Sequence, residues 1–228
     1  MLETYITNLK KSYLKPYVIF LMILLGIFFT LAMFFTQAWD EVPITIYVTL
    51  GIWLISCLVI IKQDSFKNIK MNELSALRYL LVNLFVGYMQ LVATSVGYIL
   101  GNAYTHWDLF DYWLWVQFAI FISFLGLVLF CINEFHIIVN DAKASLNILA
   151  VLLKLFSIGL IIYISLTAPN IGDEKVYFWL VIVNLIPIDA ILIRSFLNYA
   201  LFTDELRNGP PKMDFKDNDE EFEEKGES

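Results

Sequence analysis

Tyr17–Gln37 reads YVIFLMILLGIFFTLAMFFTQ, a run without a single charged side chain. A helix that crosses a bilayer needs about 20 predominantly apolar residues, and this run supplies them. Five further runs of that kind follow: Pro43–Ile61, Tyr79–Leu100, Tyr112–Ile132, Asn147–Ala168 and Tyr177–Asn198. The fourth and fifth are separated by 133–146, which still holds Phe135, Ile137, Ile138 and Val139, so a longer fourth helix is the alternative there. Over the whole chain of 228 residues, 59% are hydrophobic and only 16% charged. A soluble domain carries about 25% charged residues. One soluble core of this size buries one or two such runs, and lipid is the simplest solvent for six. The expected fold is therefore all-α: a polytopic membrane protein of about six transmembrane helices filling 17–203.

Charge sets the orientation. With the amino end inside, the inner segments are 1–16, 62–78, 133–146 and the carboxyl-terminal end. They contain Lys10, Lys11, Lys15, Lys62, Lys67, Lys70, Arg78, Lys143 and four bases after residue 203, whereas the outer loops contain only Lys175. Positively charged loops stay in the cytoplasm. Trp39, Trp107, Trp113, Trp115 and Trp179 fall at outer ends of spans, and Tyr13, Tyr17, Tyr79 and Tyr199 at inner ends, as headgroup-level aromatics do. Both signals place the two termini in the cytoplasm. A bacterial inner (plasma) membrane is the default compartment; a eukaryotic organelle membrane gives the same bias. The basic start resembles a signal peptide, but its apolar run exceeds the about 7–15 residues of a signal core, and Thr36-Gln37-Ala38 is a poor cleavage site.

The ends of the chain differ in character. Leu2, Ile6, Leu9 and Tyr13 recur at helical spacing, with Lys10, Lys11 and Lys15 largely off that stripe, which predicts an amphipathic interfacial helix over 1–16 closed by Pro16. Residues 204–228 hold ten acids against four bases and so carry nearly all of the net charge of −7. With Gly209-Pro210-Pro211 and little apolar content, this end reads as an acidic disordered cytoplasmic tail. The remaining body is close to neutral, and nothing in it favours nucleic acid as a partner. In the second inner loop, Asp64 or Ser65 caps a short helix with Phe66, Ile69, Leu74 and Leu77 on its apolar side; alternatively, that segment opens the third span.

Charged side chains inside spans are the candidates for function, because each costs a few kcal/mol to insert at a helix centre. Lys154 lies roughly 10 Å and Asp189 roughly 13 Å from the inner ends of the fifth and sixth spans, at 1.5 Å per residue. At similar depth on consecutive antiparallel helices, they are expected to pair, either to orient the helices or to form a site for a proton, an ion or a polar substrate group. Arg194 lies about 6 Å deep, near enough to snorkel. Pro187, with Asn184 one turn before it, predicts a kink beside Asp189. Ala93, Gly97 and Gly101 form a small-residue stripe for close helix packing.

No enzyme motif accompanies these residues. Cys57 and Cys131 read as packed thiols, and His106 and His136 fall on opposite sides of the bilayer, so neither pair makes a metal site. His106 lies between Trp107 with Asp108 and the outer end of the third span, in a solvated loop. There is no Walker motif, dinucleotide loop or nucleophile elbow, so the chain reads as non-enzymatic and without a cofactor.

With an amphipathic segment at 1–15 and a cytoplasmic segment at 64–78, the span layout resembles the small permease subunits of ABC-2 type exporters. That resemblance implies an integral subunit of a transport or export assembly, with Phe66, Ile69 and Leu74 meeting a separate cytoplasmic ATPase. Two alternatives stand beside it. One is a non-transporting scaffold, immunity or sensor protein that binds a partner through its inner face and acidic tail. The other is an ion channel or secondary transporter, as a homo-oligomer or alone, built on the Lys154–Asp189–Arg194 cluster. Membrane lipid is a partner in each.

Overall fold

The computed structural model describes residues 1–63, 72–138 and 141–209. Its long elements are α1 (Leu2–Lys10), α2 (Leu14–Thr36), α3 (Ile44–Gln63), α4 (Glu73–Asn102), α5 (Phe110–Glu134), α6 (Ala144–Thr167) and α7 (Val176–Asn208). Among the described residues there is no strand. Six helical stretches are long and apolar enough to cross a membrane, one of them α1 and α2 taken together. Phe20, Ile23 and Ile27 on α2, Ile52 and Ile55 on α3, and Leu152 and Phe156 on α6 lie open on the outside of the bundle. In water such continuous faces would drive aggregation, whereas in hydrocarbon they cost nothing.

The helices do not share the interior equally. In α4, 72% of the apolar window is buried inside the bundle, against 28% in α2, α3, α6 and α7. The reason is compositional. α4 carries Asn83, Gln90, Thr94, Ser95 and Asn102, all fully buried, and a helix with that many polar groups is stable in a membrane only where protein surrounds it. Its neighbours bond to those groups. Trp53 on α3 donates its indole N–H to Gln90 (2.9 Å), and Trp113 on α5 donates to Ser95 Oγ (3.0 Å). Trp113 is therefore an interior residue and not part of the outer aromatic belt. Trp39, Trp107, Trp115 and Trp179 remain exposed.

Small residues set the closest approaches. A methyl group on Gly97 would meet the Tyr177 ring of α7 at 2.3 Å, and one on Gly126 would meet the Ala150 carbonyl of α6 at 2.9 Å. The stripe through Gly97 is thus the seam along which α7 lies on α4.

Both described ends reach one face of the bundle, where the Met1 amine is 3.3 Å from Glu205. α1 packs there on α7 and α4, with Ile6 and Leu9 buried. The expected stripe is modified at its edge, because Lys10 is buried while Tyr13 is exposed. The last carbonyls of a helix lack partners within it. Here Asn83 of α4 donates to Leu9 O (3.1 Å), and Gln63 of α3 donates to Lys10 O (3.0 Å). The chain breaks at 11–13, ahead of Pro16. Pro16 falls in the first turn of α2, where a missing N–H is harmless.

One boundary differs from the sequence expectation, and at two others the structure selects between the readings given above. α7 runs on to Asn208, so residues 204–208 are helical and the start of the expected tail belongs to the bundle. Glu205, with its carboxylate near the Met1 amine, explains why an acidic stretch stays helical there. Residues 210–228 lie outside the described residues, as do Phe66 and Ile69. Leu74 and Leu77 belong to the start of α4, which Asn72 caps by accepting the Ser75 N–H (2.9 Å). α5 ends at Glu134 without projecting beyond the bundle.

Gly97→Ala and Gly126→Ala are expected to destabilise the detergent-solubilised protein by about 1–3 kcal/mol each, the usual range for overpacking. Gly26→Ala and Gly159→Ala, where nothing lies within 4 Å of the added methyl, should be neutral or slightly stabilising in the same thermal unfolding assay.

Candidate functional site

The Lys154 ammonium on α6 has three N–H donors, and each has a protein acceptor. Nζ is 2.5 Å from Asp189 Oδ2 on α7, 2.8 Å from Ser123 Oγ on α5 and 2.9 Å from Tyr88 OH on α4. Tyr88 in turn donates to the other carboxylate oxygen, Asp189 Oδ1, at 2.9 Å. Tyr88 OH, the ammonium and the carboxylate thus close a ring of hydrogen bonds, and four helices meet at it.

Each element contributes for a local reason. The absence of a side chain at Gly126 lets α6 come close to α5, which brings Lys154 onto Ser123, one turn from Gly126. Tyr88 is held by an edge-to-face contact with Phe124 of α5, ring centres 5.1 Å apart. Asp189 lies two residues beyond Pro187. α7 continues as one helix through that proline.

The remaining sequence candidates lie elsewhere. Arg194 does not join the pair. It stacks on the Tyr13 ring at 3.8 Å and donates to Tyr13 OH at 3.0 Å. Five residues along a helix turn a side chain through roughly 140°, so Arg194 and Asp189 cannot share a face. Asn184 accepts a hydrogen bond from Tyr17 OH (2.5 Å) and so ties α7 to α2. His106 lies 3.1 Å from Glu41 across two outer connections, not against Asp108. Leu74 is 74% exposed at the start of α4. Among the described residues, no group of three or more His, Cys, Asp or Glu is placed to hold a metal.

Sequence reasoning missed Tyr88 and Ser123. A hydroxyl in a span carries little insertion penalty and so attracts no notice. Tyr88 did leave one trace: it sits in mid-span, whereas Tyr13, Tyr17, Tyr79 and Tyr199 fall at helix ends.

Chemically, the ring is a neutral, fully bonded lock. Lys154 and Asp189 are about one-fifth exposed, at 21% and 19%, toward an open groove of about 320 Å³ between α5, α6 and α7. Its other walls are apolar, including Leu127, Phe130 and Leu155. Ser123 Oγ accepts from the Lys154 ammonium, which is itself held by Asp189 and Tyr88. A second feature lies on the face that carries the termini. There a groove of about 640 Å³ runs between the α5–α6 connection and the end of α7, lined by Glu134, His136, Leu201, Asp204 and Arg207. Arg207 is paired with Glu73 at 2.7 Å, and Ile138 beside the groove is 74% exposed.

Removing one member of a buried ion pair costs about 3–5 kcal/mol, while replacing both with apolar groups is often neutral. Asp189→Leu and Lys154→Met alone are therefore expected to lower thermal stability strongly, and the double variant to recover most of the loss. A double variant as unstable as the worse single would show that the two charges do not act as a pair.

The comparisons agree with the extent of the helical bundle. No curated protein and no solved structure matches the chain. Residues 3–208, from α1 to the last turn of α7, match the family described as Domain of unknown function (DUF5079). The protein belongs to that family, and the matched region covers the helical bundle from the second residue of α1 to the end of α7.

Proposed function

We propose that this protein is a non-enzymatic, multi-pass membrane subunit that acts on a protein partner through its cytoplasmic face. One observation carries the reading: the face bearing both termini is a built surface. Gln63 and Asn83 hold the end of α1, Asn8 donates to Asn198 of α7 (3.2 Å), and Arg207 pairs with Glu73. This surface presents a groove and exposed apolar side chains, Leu74 and Ile138, where a soluble protein can reach them. The lysine and arginine bias of the connecting segments supports its cytoplasmic orientation, in a bacterial inner membrane.

Two forms of the reading differ in the partner. The exporter form pairs the subunit with a separate ATPase, and α1 leading directly into the first span favours it. The scaffold, immunity or sensor form needs no ATPase, and the acidic residues after α7 favour it. They offer a basic partner surface a charged, loosely held contact. A channel or secondary transporter built on Lys154 and Asp189 has less support, since every donor of that lysine is already satisfied within the protein.

Purification from native membranes in mild detergent tests this. A stoichiometric protein partner is expected with the wild type. Its recovery should fall about tenfold in Leu74→Glu or Ile138→Glu, the loss of one contact of about 1.4 kcal/mol. An ATPase as that partner selects the exporter form, and any other protein selects the scaffold form. A monodisperse protein that carries no partner, or a partner indifferent to both variants, contradicts the proposal.

A further inference from the structure

α3 and α4 enclose a second groove, on the lipid-facing side and away from the Lys154 ring. Its volume is about 460 Å³, and its walls include Ile55 and Val59 of α3 and Leu77, Leu81 and Phe85 of α4. Ile55, Val59, Leu81 and Phe85 are between 43% and 63% exposed, so the groove opens sideways into the surrounding hydrocarbon. It extends along α4 from Leu74 to Val86, which at 1.5 Å per residue is roughly 18 Å, more than half of the about 30 Å hydrocarbon core.

One charged residue lines it. Arg78 sits one turn from the end of α4 nearest the amino terminus and is exposed. Among the described residues, Arg78 has no hydrogen bond, ion pair or ring contact. By contrast, Lys154, Arg194 and Arg207 are each held by protein groups. Ile55, Val59 and Lys62 follow one another at spacings of four and three on α3, so the exposed Lys62 continues the groove face toward the same end. Glu73, in the first turn of α4, is engaged by Arg207.

From this arrangement we propose that the α3–α4 groove binds an anionic phospholipid of the inner leaflet. One acyl chain lies along Ile55, Val59, Leu81 and Phe85, and the phosphate rests on the Arg78 guanidinium. The chemistry is complementary at both ends. An apolar channel open to the bilayer core takes a chain. A guanidinium presents a planar fork that matches phosphate oxygens, and its stem lets it reach up toward headgroup level. Lys62 adds a second positive charge at the mouth, so a headgroup with net negative charge is favoured over a zwitterionic one. Basic residues beside inner-leaflet lipid contribute about 1 kcal/mol each, equivalent to an about fivefold preference. This inference rests on the membrane orientation proposed above, and not on the presence of a protein partner.

The test is native mass spectrometry of the purified full chain titrated with dioleoylphosphatidylglycerol or dioleoylphosphatidylcholine. The wild type should retain one phosphatidylglycerol about 25-fold better than phosphatidylcholine, from about fivefold at each of the two bases. Arg78→Gln should cut that preference about fivefold, and Arg78→Lys should keep most of it. Val82→Trp, which fills the groove and leaves Arg78 in place, should lose the lipid itself. A phosphatidylglycerol with a diazirine on its acyl chain should label 52–59 and 77–86 in preference to the equally exposed faces of α2 and α6. Equal retention of the two lipids, an unchanged preference in Arg78→Gln, an unaffected Val82→Trp, or labelling spread evenly over all exposed helices overturns it. Should Arg78→Gln fail to purify as a single species, Arg78→Lys and Val82→Trp decide the matter alone.

Discussion

An ammonium group within hydrocarbon can send its three N–H donors only to other protein atoms. At Lys154 that constraint fixes the relation of four helices, because the acceptors come from α4, α5 and α7. Two charges brought out of water gain little net stability when paired, since desolvation nearly cancels their attraction. Their effect is on specificity: any sliding of α6 against α7 or α5 would leave a charge or a hydroxyl without a partner in lipid. The same logic repeats along α4. Gln90 accepts the indole N–H of Trp53, Ser95 accepts that of Trp113, and Asn83 donates to a carbonyl of α1, so these three polar groups of the central helix each pin a neighbour. Between these pins, the gaps at Gly97 and Gly126 admit the backbones of α7 and α6.

A bundle pinned in this way in its interior has its remaining chemistry at its surfaces. Toward lipid the helices are mostly apolar, with Arg78 at the end of one groove and Lys154 and Asp189 partly open in another. Toward the face that carries the termini, the side chains of Gln63 and Asn83 hold α1 down by its own unpaired carbonyls, and Asn198 and Glu205 of α7 complete the attachment. A helix only of Leu2–Lys10 would be marginal alone in water. Here it is a fixed part of the surface offered to a partner. Both surfaces suit a component that is recognised by other molecules, and neither needs chemistry at the ring.

The sequence revealed some of this and hid the rest, for physical reasons. The six helices of spanning length were legible because an uncharged run of bilayer length has few other uses. The closeness of Lys154 and Asp189 was legible because two costly charges at one depth on consecutive helices gain by meeting. The third partner assigned to them, Arg194, was not one. Its helical phase points it away, and only depth had been considered. Tyr88 and Ser123 were hidden because a neutral hydroxyl raises no alarm in an apolar run. The position of Trp113 along its span suits a headgroup-level ring, while its bond to Ser95 depends on which way α5 faces. The central place of α4 could have been inferred from its excess of buried amides and hydroxyls. The end of α7 could not, since the contact that keeps 204–208 helical comes from the far amino end of the chain.

Orientation in the membrane is the claim on which the working surface depends, and single-cysteine labelling tests it most directly. In a chain with Cys57 and Cys131 replaced by alanine, cysteines would be placed singly at Glu3, Asp40, Asp173 and Gly209. A membrane-impermeant maleimide would then be applied to intact cells. The account predicts immediate labelling at Asp40 and Asp173, and labelling at Glu3 and Gly209 only after the membrane is opened. Labelling of Glu3 and Gly209 in intact cells would place the built face outside, and labelling of only one of the two would mean an odd number of crossings. Either result would contradict the account.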